Sequence, residues 1–227
     1  MSLLKPRRKL AAPDDMAELD RRLVWRIAAL LLDYPTEQTM TMLNQLQTAA
    51  ITLPQHTGRP LLSFIEHAQR TSWFTLTKSY VDTFDMKRRS CLHLTYYAYG
   101  DTRKRGMALL RFKHAYKTAG VTLGDHELPD HLSVVLEFAA TIDPVAGERL
   151  LGEHVPVLEL LRLSLHDSES PYAGVLDAVC ATLPPITTAD RRKITELAAQ
   201  GPPDEEVGLE PFSMDPQMHL AEMGGRR

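Results

Sequence analysis

The sequence predicts an all-α fold, a single-domain bundle of about nine to eleven helices. Three observations predict it. Apolar residues recur at three- and four-residue spacing along most of the chain, the spacing that puts side chains on one face of a helix. No stretch alternates with period two for long, so strands are not expected. Proline, glycine and N-capping residues fall between the periodic stretches at helix-length intervals.

Residues 1–13 are basic and unpatterned and are expected to form a mobile arm. From Asp14 the chain offers N-cap residues, and Leu23, Ile27, Leu30 and Leu31 supply a first helical face that ends at Tyr34-Pro35. Thr36, Thr39, Met40, Leu43 and Leu46 predict a second helix, closed before Pro54 and Gly58. Pro60 suits the first turn of a third, with Leu61, Phe64, Ile65 and Ala68 as its face. Trp73 to Asp85 reads as a fourth, with Trp73, Leu76, Tyr80 and Phe84 on one side. Leu92 to Tyr99 is short and aromatic and breaks at Gly100-Asp101. Asp101 or Thr102 then caps a longer helix carrying Leu109, Phe112 and Tyr116, closed by Gly120 and Gly124.

Leu128 to Ala140 is the most apolar helical stretch. Pro129 holds Leu128 extended, and Asp130 stands where an N-cap would accept the free N–H groups of a helix opening at His131. The only polar stripe on that helix is Asp130, Ser133 and Glu137, which either meets water or lines a groove. Asp143-Pro144 marks the next boundary. Pro156 interrupts the pattern from Val145 to Leu165, so a kink or two helices is expected. Pro171 precedes a helix with Val175, Leu176 and Val179, and Thr187 or Thr188 caps a last one with Ile194 and Leu197. The all-helical domain thus spans residues 14–199. Residues 200–227 form an acidic tail with six acids and four prolines but no Lys or Arg before Arg226. Such a segment is expected to be disordered. Its functional reading is a detachable tail that competes for a basic partner or for the chain's own basic face.

Composition bounds the function. A chain of 227 residues with 44% hydrophobic and 24% charged residues is ordinary for a soluble globular domain. Its longest apolar run, Ile27 to Leu32, is far below the roughly 20 residues of a membrane span. Arg7-Arg8 is followed by Pro13-Asp14-Asp15 rather than an apolar segment, so export is not expected and the chain is placed in the cytoplasm. Cys91 and Cys180 have no partners at metal or redox spacing and read as buried free thiols. The net charge of −3 conceals a strong asymmetry. Met86 to Lys117 carries nine Lys or Arg against Asp101 alone, and Asp125 to Asp177 carries eleven acids against Arg149 and Arg162. A basic segment over residues 86–117 invites a nucleic-acid reading, which stands as the alternative function. No helix-turn-helix, zinc or RNP pattern accompanies it, and a solvated face balancing the acidic half is the commoner explanation.

Catalytic motifs are not found: no G-x-S-x-G, no Walker A loop, no dinucleotide fingerprint, no H-E-x-x-H. The histidines are dispersed without metal spacing, and Asp82 and Asp85 read as the wet side of a helix rather than an acid/base couple. An enzyme, a metal site and a bound cofactor are therefore not expected.

Several segments together carry a resemblance. They are Leu31-Leu32-Asp33-Tyr34-Pro35, the stretch from Tyr80 through Phe84 to Asp85, Arg89 through Leu92-His93-Leu94-Thr95, Gly100-Asp101-Thr102-Arg103-Lys104-Arg105-Gly106, and Leu128-Pro129-Asp130-His131-Leu132 with Leu136-Glu137-Phe138. In this order they resemble the NarJ family of nitrate reductase assembly chaperones, also called delta subunits, within the wider TorD/DmsD group. The likeness covers about Arg22 to Pro184. It implies an all-helical cytoplasmic chaperone that binds the N-terminal segment of the apo catalytic (alpha) subunit and prevents early membrane docking while molybdenum cofactor is inserted. Cofactor-delivery proteins are possible further partners, and neither nucleic acid nor stable membrane insertion is implied. In the wider group the P-x-D-H type motif is associated with leader recognition, which carries over to Pro129, Asp130 and His131. Thr83 stands where the family more often has an aliphatic residue. Independently, the residues themselves fit an amphipathic helical peptide. Tyr80, Phe84, Tyr97 and Phe138 are expected to line a groove, with Asp82, Asp85, Asp130 and Glu137 as its charged rim. For each aromatic the competing reading is a place in the core.

Overall fold

A computed structural model of the protein describes residues 16–100, 102–124 and 127–201. The expected arm, and the acidic tail from residue 202 onward, lie outside them, as does Asp101. Among the described residues there are eleven α-helices and no strand, in agreement with the predicted class. Among the described residues, no helix is long and apolar enough to cross a membrane.

Helices α1 (Glu18–Leu31), α7 (Leu132–Thr141) and α10 (Ala173–Cys180) form the centre. Their inward positions are almost closed to solvent: Val24, Ala28, Leu136, Ala139, Leu176 and Val179 are all 0% exposed. Burying such side chains stabilises by about 1.5–3 kcal/mol each for the larger ones. Two polar side chains tie this centre together. Trp25 donates its indole N–H to Thr182 Oγ1 at 2.8 Å, and Arg22 Nε donates to the Ala140 carbonyl at 2.9 Å.

The other helices wrap this centre. α2 (Glu37–Ile51) packs on α3 (Gln55–Arg70), which packs on α10. Thr36 and Thr39 close the start of α2 by mutual side-chain capping of backbone N–H groups. Pro60 is not in the first turn of α3, as its sequence position suggests, but six residues in. Pro54 serves as the N-cap, so the helix opens earlier. The carbonyl that Pro60 leaves without a donor is that of His56, a half-exposed residue on an open cleft, where water can replace the missing N–H.

α4 (Trp73–Tyr80) runs without interruption into a π-helical turn, Val81–Asp85, so the expected single segment to Asp85 holds with a widened last turn. After a 3-10 turn at Arg88–Ser90 come the short α5 (Tyr96–Tyr99) and the long α6 (Arg103–Thr118). Gly100 takes a positive φ of 53° at this break, a conformation that glycine adopts without steric cost. Asp143 caps α8 (Pro144–Glu153) through the Ala146 N–H. The break at Pro156 is real: α8 ends and α9 (Val155–Asp167) begins with that proline in its first turn. Thr187 and Asp190 form a capping box on α11 (Thr188–Gln200). Cys91 and Cys180 are free, as expected, but half-buried rather than fully buried. Burial nonetheless pushes the Cys180 thiol up to about 12, so it stays protonated.

Candidate functional site: a polar knot beside an apolar groove

Asp130 does not cap α7. The N-cap is His131, without a side-chain cap, and Asp130 faces away from the helix end into a fully closed pocket at 0% exposure. The physical reason is a partner 35 residues away. Thr95 donates both its backbone N–H (3.1 Å) and its hydroxyl (2.5 Å) to Asp130 Oδ2. His93 Nδ1 lies 3.3 Å and Arg105 Nη2 3.7 Å from Oδ1. Arg105 Nε also donates to Thr95 Oγ1 at 3.3 Å, and its guanidinium lies 5.5 Å from the Tyr96 ring centroid. Above this knot the backbone closes an antiparallel bridge between His93 and His131, with Leu94 N–H to the Asp130 carbonyl (3.0 Å) and Leu132 N–H to the Leu92 carbonyl (2.9 Å).

Three of the segments that carry the resemblance thus meet in one place: Thr95, Arg105 and Asp130 come from separate motifs and bind one another. Burial pushes the Asp130 carboxyl up, but hydrogen bonds from His93 and Thr95 and the charge of His93 outweigh it and hold the group at about 2. His131, with its Nδ1 2.7 Å from Ser133 Oγ and its ring 5.0 Å from that of His93, is depressed to about 4, first by burial and then by His93. A histidine held neutral in the fold and free to charge when unfolded makes stability rise with pH. Unfolding free energy is therefore expected to fall as pH drops from about 6.5 to about 4. Denaturant melts across that range should show the fall, and His131→Gln should reduce the slope, the remainder coming from His154, whose imidazole is also depressed by burial.

The knot anchors the segment that follows α6. Tyr116 donates its hydroxyl to the Pro129 carbonyl at 2.7 Å, and its ring meets Phe138 edge-on at 4.6 Å. Val121 to Leu123 crosses beside these rings. On one side of that strap lies a cavity of about 360 Å³, walled by Ala29 and Leu30 of α1, by Val134 and Phe138 of α7 and by Ile142 at its C-cap. Its polar edge is Asp33, Glu127, Ser133 and Glu137. On the other side a cavity of about 550 Å³ is lined by Leu109, Leu128 and Pro129 with Lys113 and Lys117. Glu137 is also ion-paired with Arg26 of α1.

The four aromatic residues expected to line one groove do not share a wall. Tyr80 and Phe84 are core, 5% and 4% exposed, packed around Tyr172 with Phe64. The Tyr80 hydroxyl donates to the Leu32 carbonyl at 3.1 Å. Tyr97 sits in a separate small cluster with Val157, Leu160 and Leu197. Only Phe138 reaches the groove, together with Glu137 of the expected rim. Asp82 and Asp85 are exposed on the π turn beside the Tyr80 core, Asp130 is enclosed, His131 is half-buried, and Pro129 lines the larger cavity. The sequence reading missed Leu30, Asp33, Val134 and the strap. Leu30 and Val134 looked like ordinary helix-face residues, and nothing in the periodicity distinguishes a residue facing a groove from one facing the core.

The fold and this geometry define a class: an all-α bundle with a pre-formed surface groove. Among the described residues, no group of three or more His, Cys, Asp or Glu is placed to hold a metal ion. The family model for the nitrate reductase delta subunit matches residues 37–178, and the chain belongs to that family. Over 164 residues it is 42% identical to the nitrate reductase-like protein NarX of Mycobacterium tuberculosis. That match takes in 70% of this chain but 24% of NarX, so the chain spans about a quarter of that relative's length. A NarJ protein of Bacillus subtilis is 30% identical over 74% of this chain and 92% of its own. The nitrate reductase molybdenum cofactor assembly chaperone NarJ of Escherichia coli K12 is 28% identical over 79% of this chain and 76% of its own. In fold, the chain is similar to an Archaeoglobus fulgidus crystal structure assigned to redox enzyme maturation. The TM-score is 0.54 at 20% identity, covering 77% of this chain and 97% of that one.

Proposed function

We propose that this protein is not an enzyme but an assembly chaperone for a respiratory nitrate reductase. It binds the N-terminal segment of the apo catalytic subunit in the groove between α1, α7 and the Val121–Leu123 strap. It holds that segment in the cytoplasm until molybdenum cofactor is inserted and the complex docks at the membrane, and cofactor-delivery proteins are natural further partners. The observation that carries the reading is the groove itself, an apolar floor of Leu30, Val134 and Phe138 under an acidic edge of Asp33, Glu127 and Glu137. Its 360 Å³ lies at the small end of ligand pockets, which run from about 300 to 1,000 Å³. That size suits a few apolar anchors of an amphipathic helix whose basic residues meet the edge. Names of relatives supply the partner: the NarJ protein of Escherichia coli is a nitrate reductase assembly chaperone. Asp130 acts here as a positioning residue, fixing the strap and the start of α7 without touching the ligand.

Calorimetry with a synthetic copy of the catalytic subunit's first residues tests the proposal. Binding at micromolar or tighter affinity, about −8 kcal/mol, is expected, with a negative heat-capacity change from apolar burial. A scrambled peptide of the same composition binding equally well would contradict it.

A further inference from the structure

Helix α6 shows one half of its circumference to solvent. Its 16 residues span about 24 Å and carry six Lys or Arg and no acid. Phe112, Ala115 and Tyr116 are buried, and every exposed position falls on the opposite half of the helix. Met107, 69% exposed, and Leu110, 53% exposed, stand at the centre of that half, three residues apart. Arg103 precedes them by one turn, Lys117 follows, and Lys104 and Lys113 flank them on either side, all exposed. Arg105 and Arg111 face Asp130 and Glu153, whereas the other four cations form no ion pair among the described residues. An apolar recess lies along one flank. It is the cavity of about 550 Å³ bordered by Lys113 and Lys117, where Leu109 of α6 meets Leu128 and Pro129, with Glu127 the one acid among the described residues that line it.

A helix that is apolar along the middle of its outer face and cationic on both sides has the pattern of one that lies in the plane of an anionic lipid surface. Its apolar side chains enter the headgroup layer, and its long cationic ones reach the phosphates. Other partners fit this face less well. Single-stranded nucleic acid is held by stacking on aromatic rings, and both aromatics of α6 are buried. A second copy docking through the same face would set cation against cation.

We infer that α6 docks the protein peripherally on the anionic surface of a lipid bilayer, with Met107 and Leu110 entering the headgroup layer and Arg103, Lys104, Lys113 and Lys117 meeting lipid phosphates. The helix lies on the surface and does not span the bilayer. This docking rests on no part of the leader-binding reading, since the groove lies between α1 and α7.

Vesicle flotation of the full chain tests it, with no peptide present. Binding to vesicles of equal parts phosphatidylglycerol and phosphatidylcholine is expected to exceed binding to phosphatidylcholine alone at least about tenfold. It should be lost at about 0.5 M salt, where the Debye length shrinks to about 4 Å. Each cation near an anionic leaflet strengthens binding about fivefold, so replacing Lys104, Lys113 and Lys117 together by Gln should weaken it about a hundredfold. Replacing Met107 and Leu110 together by Gln leaves the charges in place and should weaken it at least about fivefold. All five side chains are exposed, so both variants should melt as the unaltered chain does. The inference is overturned by equal binding to both kinds of vesicle, by no flotation with either, or by full binding of the lysine variant. Full binding of the Met107 and Leu110 variant equally overturns it, since the face would then be a general polyanion surface, and an oligonucleotide bound alike by both chains would identify nucleic acid as the partner.

Discussion

Asp130→Ala is expected to destabilise the protein by about 3–5 kcal/mol, the range for removing one member of a buried charged cluster. The carboxylate accepts both Thr95 hydrogen bonds and is the charge that His93, at 3.3 Å, and Arg105, at 3.7 Å, face in the closed pocket. Asp130→Asn is expected to cost about 2–3 kcal/mol, because one amide oxygen can serve Thr95 while the NH₂ group then points a donor at His93 and Arg105. A helix cap would behave otherwise, since capping needs an oxygen rather than a charge and Asn would hold stability. Urea unfolding at pH 7 separates the two: a fall in midpoint for Asn at unchanged slope supports the knot, and wild-type stability for Asn contradicts it. The acid limb gives a second check. With the folded carboxyl at about 2 and the unfolded one near 3.8, about 2 kcal/mol of stability is fully present above pH 4 and lost as pH falls through 2. This window lies below that of His131, so the two groups are distinguishable in one pH series.

Gly147→Ala is expected to destabilise by about 3 kcal/mol, the upper part of the usual range for overpacking. A Cβ there would stand 2.3 Å from Ala139 Cβ and 2.4 Å from Ala139 Cα, so α8 must move bodily away from α7. No flexible side chain is available to yield. The displacement would also disturb Leu150, Leu151 and the Arg21–Glu148 pair at 3.1 Å that join α8 to the centre. Gly152 on the same helix is the internal control, with nothing within 4 Å of its built Cβ. There the helix preference of alanine acts alone, and Gly152→Ala is expected to stabilise by up to about 1 kcal/mol. Thermal melts of the two variants should move in opposite directions. A shift of the same sign in both would mean that the α7–α8 contact is looser than the geometry requires.

Much of the fold was legible because local chemistry decides it. Thr187 caps the last helix as expected, the boundary at Asp143-Pro144 holds, and Pro156 divides α8 from α9 because a proline in a helix interior is costly. The errors share one cause, a tertiary partner that a local pattern does not contain. Asp130 beside Pro129 looks like a cap, and only the fold brings Thr95 and Arg105 to it. Tyr80, Phe84, Tyr97 and Phe138 have the same character in sequence yet end in three different environments. Of the residues expected to line a groove, Glu137 and Phe138 border the cavity between α1 and α7, while Leu30, Asp33 and the strap, which border it too, had no distinguishing signal.

The most direct test of the account is a residue-resolved titration of the isotope-labelled full chain with the leader peptide. Shifts concentrated at Ala29, Leu30, Leu123, Val134 and Ile142, with Met107 and Leu110 unmoved, are the predicted result. Shifts confined to α6, or to the π turn around Asp82 and Asp85, would contradict the assignment of the groove between α1 and α7 as the leader site.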